Sequence, residues 1–179
     1  MADFFPLERS ERDVENGAPA RIEEDTHRKP KVSRLAVPGV KKIIMPIGFA
    51  KVRDFAVRYT AAWCTQNPEH VAAFFSATGS LTVNKETPAV GRGAITGLVR
   101  SFMTAFPDPV VRMDELRVQG EVVEYRWTPL GTNTGPGGTG RRVRISGFEE
   151  WCMGADVLIS SSQGHFEAEE YQRQLEEGA

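Results

Sequence analysis

The second half of the chain constrains the fold most. From Val110 to Phe166, four runs rich in β-branched and aromatic residues follow one another with period-two alternation: Val110–Val118, Val122–Leu130, Arg141–Met153 and Val157–Phe166. "QGE" and "GAD" leave room only for tight connections within the first and last pairs, and strands joined so closely run antiparallel. Each run carries one apolar and one mixed face, so other elements must cover the apolar side. The middle connection, "GTNTGPGGTGRR" from Gly131 to Arg142, has the glycine density of a phosphate-binding loop. Such a cradle needs a helix after it, whose N-terminus and a lysine supply the positive field. Here "RRVRISGFEEW" alternates as a strand instead, so Gly131–Arg142 reads as a hairpin connection, with glycines for positive φ and Pro136 to stop pairing.

The covering elements lie upstream. In "MPIGFAKVRDFAVRYTAAWC", Val52, Phe55, Ala56, Tyr59, Ala62 and Trp63 share one helical face, with the helix ending near Gln66. Asn67 as N-cap and Pro68 at the first helical position open a second helix over "NPEHVAAFFS", closed by Gly79. "SLTVN" reads as a strand and "KETPAVGRG" as a loop. "AITGLVRSFMTAF" is a third helix, with apolar residues recurring at three and four until Pro107. "EAEEYQRQL" makes a short amphipathic end. The expected fold is α+β, a curved antiparallel or mixed sheet packed against three N-terminal helices. Residues 1–44 alternate acids, bases and prolines with no period, and read as a disordered leader, with the functional polypeptide starting at Met45 or indifferent to what precedes it.

A net charge of −2 gives no electrostatic reason to expect nucleic acid or an anionic membrane. No apolar run is long enough to span a bilayer, and the acids of "MADFFPLERSERD" do not suit a signal peptide, so the expected location is cytoplasmic. Cys64 and Cys152 make no disulfide framework, read as buried packing residues, and with three scattered histidines do not reach metal-ligand spacing. No motif implies a cofactor or a metal.

The order helix, helix, strand, helix, meander resembles the nuclear transport factor 2-like cone, and within it the polyketide-cyclase-like (SnoaL-like) branch. "YTAAW", "NPEHVAAFF", "FPD", "VVEYRWTPLGTNTG" and "YQRQL" carry the resemblance, which extends from Pro46 to Leu175. It implies a cone whose mouth leads to an apolar pocket for a small apolar ligand, and a homodimer through the open sheet face, for which Val123, Tyr125, Trp127, Val143, Ile145 and Gly147 are candidates. Tyr59 stands where steroid isomerase relatives carry an oxyanion-stabilising tyrosine, and Glu149 where they carry a protonated aspartic acid. Asn84 replaces their catalytic base, and an amide cannot take a proton. Glu167 stands where polyketide cyclase relatives carry an acid/base aspartate. Arg126 is not followed by the acid that epoxide hydrolase relatives need.

Alternation on the last strand puts Gln163, His165 and Glu167 on one face and Ser162, Gly164 and Phe166 on the other. The expected site is therefore Glu167 as acid/base with His165 and Gln163 orienting the substrate, and Tyr59 donating to an enolate. Glu149 and Asn84 complete the polar set, and Trp63 and Trp127 serve as walls. Residues 160–162, His165 and Glu167 do not form a Ser-His-Glu triad, because neighbours along one strand do not converge. The functional expectation is an isomerase or cyclase acting on an apolar carbonyl compound, or a noncatalytic binding or dimerisation module of the same fold.

Overall fold

The computed structural model describes residues 48–179. The expectation for residues 1–44 lies outside the described residues. Helix α1 (Phe49–Trp63) buries Val52, Phe55, Ala56, Tyr59 and Ala62, the stripe read from its period. Helix α2 (Pro68–Ala72) is capped by the Asn67 side chain, which accepts from the Glu69 amide at 3.1 Å. It is shorter than expected. Phe75, which continues its apolar face in sequence, instead begins strand β1 (Phe75–Val83) and sits opposite Ile159 of the last strand. Within the expected loop, Ala89–Val90 adds a two-residue strand, β2, to the edge of β1. Helix α3 (Gly91–Ala105) follows, its buried Ile95, Val99 and Met103 facing the sheet.

The meander comprises β3 (Val110–Gln119), β4 (Val122–Thr132), β5 (Arg142–Arg144), β6 (Gly147–Met153) and β7 (Ile159–Phe166), and helix α4 (Ala168–Glu177) ends the chain. The expected third run is thus two strands, broken at Ile145–Ser146, which lie end to end along one edge of β4. The glycine-rich segment is the β4–β5 hairpin connection, with Leu130 opposite Arg144 and Thr132 opposite Arg142. The Asn133 side chain ties this loop down, accepting from the Thr139 amide at 2.7 Å and donating to the Ala105 carbonyl at 3.2 Å. Sheet order is β2-β1-β7-β6-β4-β3, with β5 beside β4. All these pairings are antiparallel except β1 with β7, which is parallel and makes the sheet mixed.

Two apolar clusters form on the inner face. The larger joins α1, α2 and α3 to Leu81, Val123, Tyr125, Trp151 and Ile159. The smaller joins Phe106, Val143, Ile145 and Tyr171 at the end closed by α4. This corrects the face assigned to association: Val123, Tyr125, Val143 and Ile145 are buried in these clusters, Val123 with none of its surface exposed. Their side chains lie on the face that the helices cover. The outer face carries Glu124, Arg126, Phe148, Glu150 and His165, the alternates of the buried set. Both cysteines are exposed, not buried as expected. Cys64 follows the buried stripe of α1 and Cys152 falls on the outer side of β6, where its neighbour Trp151 takes the core. Among the described residues no helix is long and apolar enough to cross a membrane.

Candidate functional site

A cavity of about 120 Å³ opens between the two clusters. Trp63, Leu98 and Phe102 wall it from the helices, Trp127 and Ile145 from the sheet, and Phe166 and Tyr171 from the end of the chain. One acidic residue, Glu149, belongs to this otherwise apolar lining. Strand β6 places it: Gly147, Glu149 and Trp151 alternate inward, and Trp151 fixes that parity by filling the core with none of its surface exposed. Glu150 is thereby turned to the outer face.

Glu149 is 6% exposed and accepts from three side chains. Ser162 Oγ donates at 2.7 Å, Trp151 Nε1 at 2.8 Å and Tyr59 Oη at 3.1 Å, all to Oε2. Oε1 has only a long contact of 3.4 Å from the same phenol. Burial pushes the Glu149 pKa above its ordinary 4.5, while the bonds from Ser162, Trp151 and Tyr59 pull it back toward the charged form. One carboxyl oxygen is thus anchored, and the other is left with a single weak partner.

Tyr59 lies behind the carboxyl rather than on the cavity wall. Its ring is enclosed edge-on by Trp63, Phe74, Phe75, Tyr125 and Trp151, with centroids 5.1–6.3 Å away. Burial and the nearby Glu149 hold its hydroxyl pKa well above the ordinary value, so it stays a neutral donor. The expected donation from Tyr59 to a substrate enolate is replaced by donation to Glu149.

The residues expected on the last strand lie on the wrong side. Ser162, Gly164 and Phe166 face inward, whereas Gln163, His165 and Glu167 do not line the cavity. Gln163 donates to the Asn84 carbonyl at 2.7 Å, and His165 stacks on Phe148 with centroids 4.7 Å apart, its Nε2 lying 3.6 Å from Glu150. Glu167 stands exposed at the N-cap of α4, where its carbonyl accepts from the Tyr171 amide at 3.1 Å. Asn84, at φ +50°, uses Oδ1 to accept the Phe166 amide at 3.0 Å and so ties β1 to β7. Phe166 was the legible signal: it is the large apolar residue at the end of this strand, and its parity marks the inner face.

Trp63 and Trp127 do line the cavity. Trp127 lies opposite Gly147, and the indole edge covers that glycine so closely that a Cβ there would stand 2.6 Å from Cη2. Its Nε1 is buried and finds no acceptor among the described residues. A buried N–H without a partner carries a penalty of about 1–3 kcal/mol, a feature that sequence alone does not reveal.

A curved mixed sheet wrapped on three helices, with a carboxyl deep in an apolar cavity, defines a nuclear transport factor 2-like cone. The model of the SnoaL-like domain matches residues 56–161, and the chain belongs to that family. Among solved structures, a protein of ketosteroid isomerase-like fold from Catenulispora acidiphila, in complex with trimethylamine, superposes with a TM-score of 0.61 at 17% identity, over 69% of this chain and 92% of the other. TsrD from Streptomyces laurentii gives 0.63 at 21%, over 72% and 97%. The epoxide hydrolase/cyclase-like enzyme SalBIII, of pyran ring formation in the polyether salinomycin, gives 0.59 at 16%, over 68% and 94%. At these identities the likeness is one of fold. No curated protein gives a significant sequence match.

Proposed function

We propose that the protein binds a small apolar carbonyl compound in this cavity and acts on it as a cofactor-independent isomerase or cyclase, with Glu149 moving the proton. The observation that carries this reading is a single carboxyl in an apolar lining, its pKa raised by burial and its Oε2 anchored by three donors. Efficient acid/base catalysis wants a group whose pKa is moved toward the working pH, because the same group must both take and return a proton. In the proposed step, Glu149 as carboxylate removes a proton from the carbon beside the carbonyl. The C–H pair becomes the second bond of an enolate, and the carbonyl π pair moves to oxygen. Return of the proton to the far carbon of a conjugated system restores the carbonyl and shifts the double bond, so atoms and electrons balance. Tyr59, Trp151 and Ser162 are positioning residues that act through Glu149.

The second reading is binding without turnover. The three donors on Oε2 favour it, since a carboxyl held so firmly by one oxygen also serves to hold a core together. A homodimer belongs to both readings, with the outer sheet face as the surface. There Arg126 lies over Phe148 at 5.4 Å, and Phe148 stacks on His165.

Hydrogen–deuterium exchange at the α-carbons of a panel of cyclic ketones and lactones tests the proposal. The wild-type protein and Glu167→Gln should catalyse exchange of at least one member, and Glu149→Gln should slow it by about 100-fold or more. Equal rates for wild type and Glu149→Gln would remove Glu149 from the chemistry. Binding of the panel with no exchange by the wild type would favour the second reading.

A further inference from the structure

We infer that the compound this cavity takes carries a positive charge, an ammonium group on an otherwise apolar molecule. The inference rests on the reading of the Glu149 cavity as the ligand site and adds a charge to the ligand class proposed for it. Charge balance is the first argument. Among the described residues that line the cavity, Glu149 is the only charged one, and there is no lysine, arginine or histidine. Its donors Ser162, Trp151 and Tyr59 are all neutral, and among the described residues no cation acts on it. Buried carboxylates are ordinarily paired with a cation. A cationic ligand supplies a counter-charge that no neighbouring side chain provides.

The walls are the second argument. Trp63, Phe102 and Phe106 make one aromatic side of the lining and Phe166 and Tyr171 another, with Trp127 contributed by the sheet. Adjoining rings stand at steep angles, Trp63 to Phe102 at 87° and Phe166 to Tyr171 at 74°, with centroids 5.7 Å apart in both pairs. Rings so arranged make a box rather than a stack, the form in which aromatic cages hold quaternary ammonium groups. The attraction comes from ring carbons and needs no polar atom in the lining. A carboxylate acts through a low-dielectric interior by Coulomb force, so it need not touch the ligand. Both attractions act on the charged end of a ligand whatever the length of the rest.

The experiment uses phenyltrimethylammonium and tert-butylbenzene, which share a shape and differ by one charge. Affinities for the full chain are read from tryptophan fluorescence, since Trp63 and Trp127 line the cavity. The cation should bind at least as tightly as the hydrocarbon, although water holds it far more strongly. Glu149→Gln should weaken the cation by about tenfold or more and leave the hydrocarbon unchanged. Phe102→Leu should weaken the cation relative to the hydrocarbon by about two- to fivefold. Wild-type affinity for the cation should also strengthen between about pH 5 and pH 8, because below the folded-state pKa of Glu149 the cation must expel its proton. Tyr59 and Tyr125 lie near this carboxyl and Tyr171 lines the cavity; burial pushes all three phenols up, so none changes charge over that range. Binding of the hydrocarbon without the cation overturns the inference, as does failure of both probes to bind. A cation affinity that ignores both pH and Glu149→Gln overturns it too. If Glu149→Gln does not fold, the pH series and Phe102→Leu still decide. No turnover is read, so a Glu149 that moves no proton would leave these results standing. Loss of the charge preference would leave α-carbon exchange of neutral ketones untouched.

Discussion

Replacing Glu149 by alanine removes the acceptor from three buried donors at once, Tyr59 Oη, Trp151 Nε1 and Ser162 Oγ. Each stranded donor costs about 1–3 kcal/mol. The three share one carboxyl and do not add in full, and the Ser162 hydroxyl can turn toward another acceptor. With the space left by the missing arm, the expected loss is about 3–5 kcal/mol. Glu149→Gln keeps an oxygen where Oε2 stands and should lose about 1 kcal/mol or less at low pH. The two proteins also differ in pH response. Burial raises the folded-state pKa of Glu149 above 4.5, the ordinary value that the unfolded chain keeps. Below 4.5 both states hold the proton, and the stability linked to protonation is fully present. As pH rises, the unfolded chain releases its proton first, and that stability is lost through the folded-state pKa. Glutamine has no such loss, so the balance should move in its favour with rising pH and then level off. Urea unfolding followed by tryptophan fluorescence, at about pH 5 and pH 8, measures both effects. An alanine cost below about 1 kcal/mol would refute the anchoring of Glu149 by its donors. A gap between wild type and glutamine that is identical at the two pH values would refute its desolvation.

Tyr59→Phe should cost about 1–2 kcal/mol and push the Glu149 pKa further up, seen as a shift of any pH–rate profile with KM for the ligand unchanged, since the phenol touches Glu149 and not the cavity. Gly135→Ala should cost about 2 kcal/mol or more in chemical denaturation, because its Cβ would collide with the Thr104 carbonyl, and backbone there must move. A polypeptide beginning at Met45 should keep the melting temperature of the full chain, and precipitation or a fall of several degrees would make the preceding residues structural. Sedimentation at micromolar concentration should show a homodimer that Phe148→Asp weakens; a monomer at all concentrations would remove that part of the proposal.

Periodicity was enough to locate the helices and the meander, because those segments have one consistently apolar face. It misjudged the end of α2, where Phe74 and Phe75 suit a helix or a strand equally and pairing with Ile159 decides. Parity was the harder quantity. On β6, Trp151 declares the inner face and Glu149 follows from it. On β7, serine, glycine and glutamine give no bulk contrast until Phe166, and polar residues with chemical promise drew attention to the outer side. The same misplaced parity put Val123 and Tyr125 on an open surface. The resemblance set Tyr59 beside Glu149, and the two are hydrogen-bonded at 3.1 Å, yet nothing in the sequence distinguishes a phenol behind a carboxyl from one beside a ligand. The unpaired Trp127 nitrogen is a property of three-dimensional neighbours alone.

The parallel pairing of β1 with β7 has a consequence for how the molecule comes to exist. Ser80 and Leu81 find Ser161 and Ser162 only after α3 and strands β3 to β6 are available, and closing so long a loop is entropically slow. A ribosome therefore releases α1, α2, β1 and α3 well before their main sheet partner emerges, with Tyr59 and Phe75 still uncovered. The cavity wall contributed by Gly164, Phe166 and Tyr171 follows the rest of the lining. Uncovered apolar surface on a nascent chain invites aggregation, and that interval ends when β7 slots in beside β1.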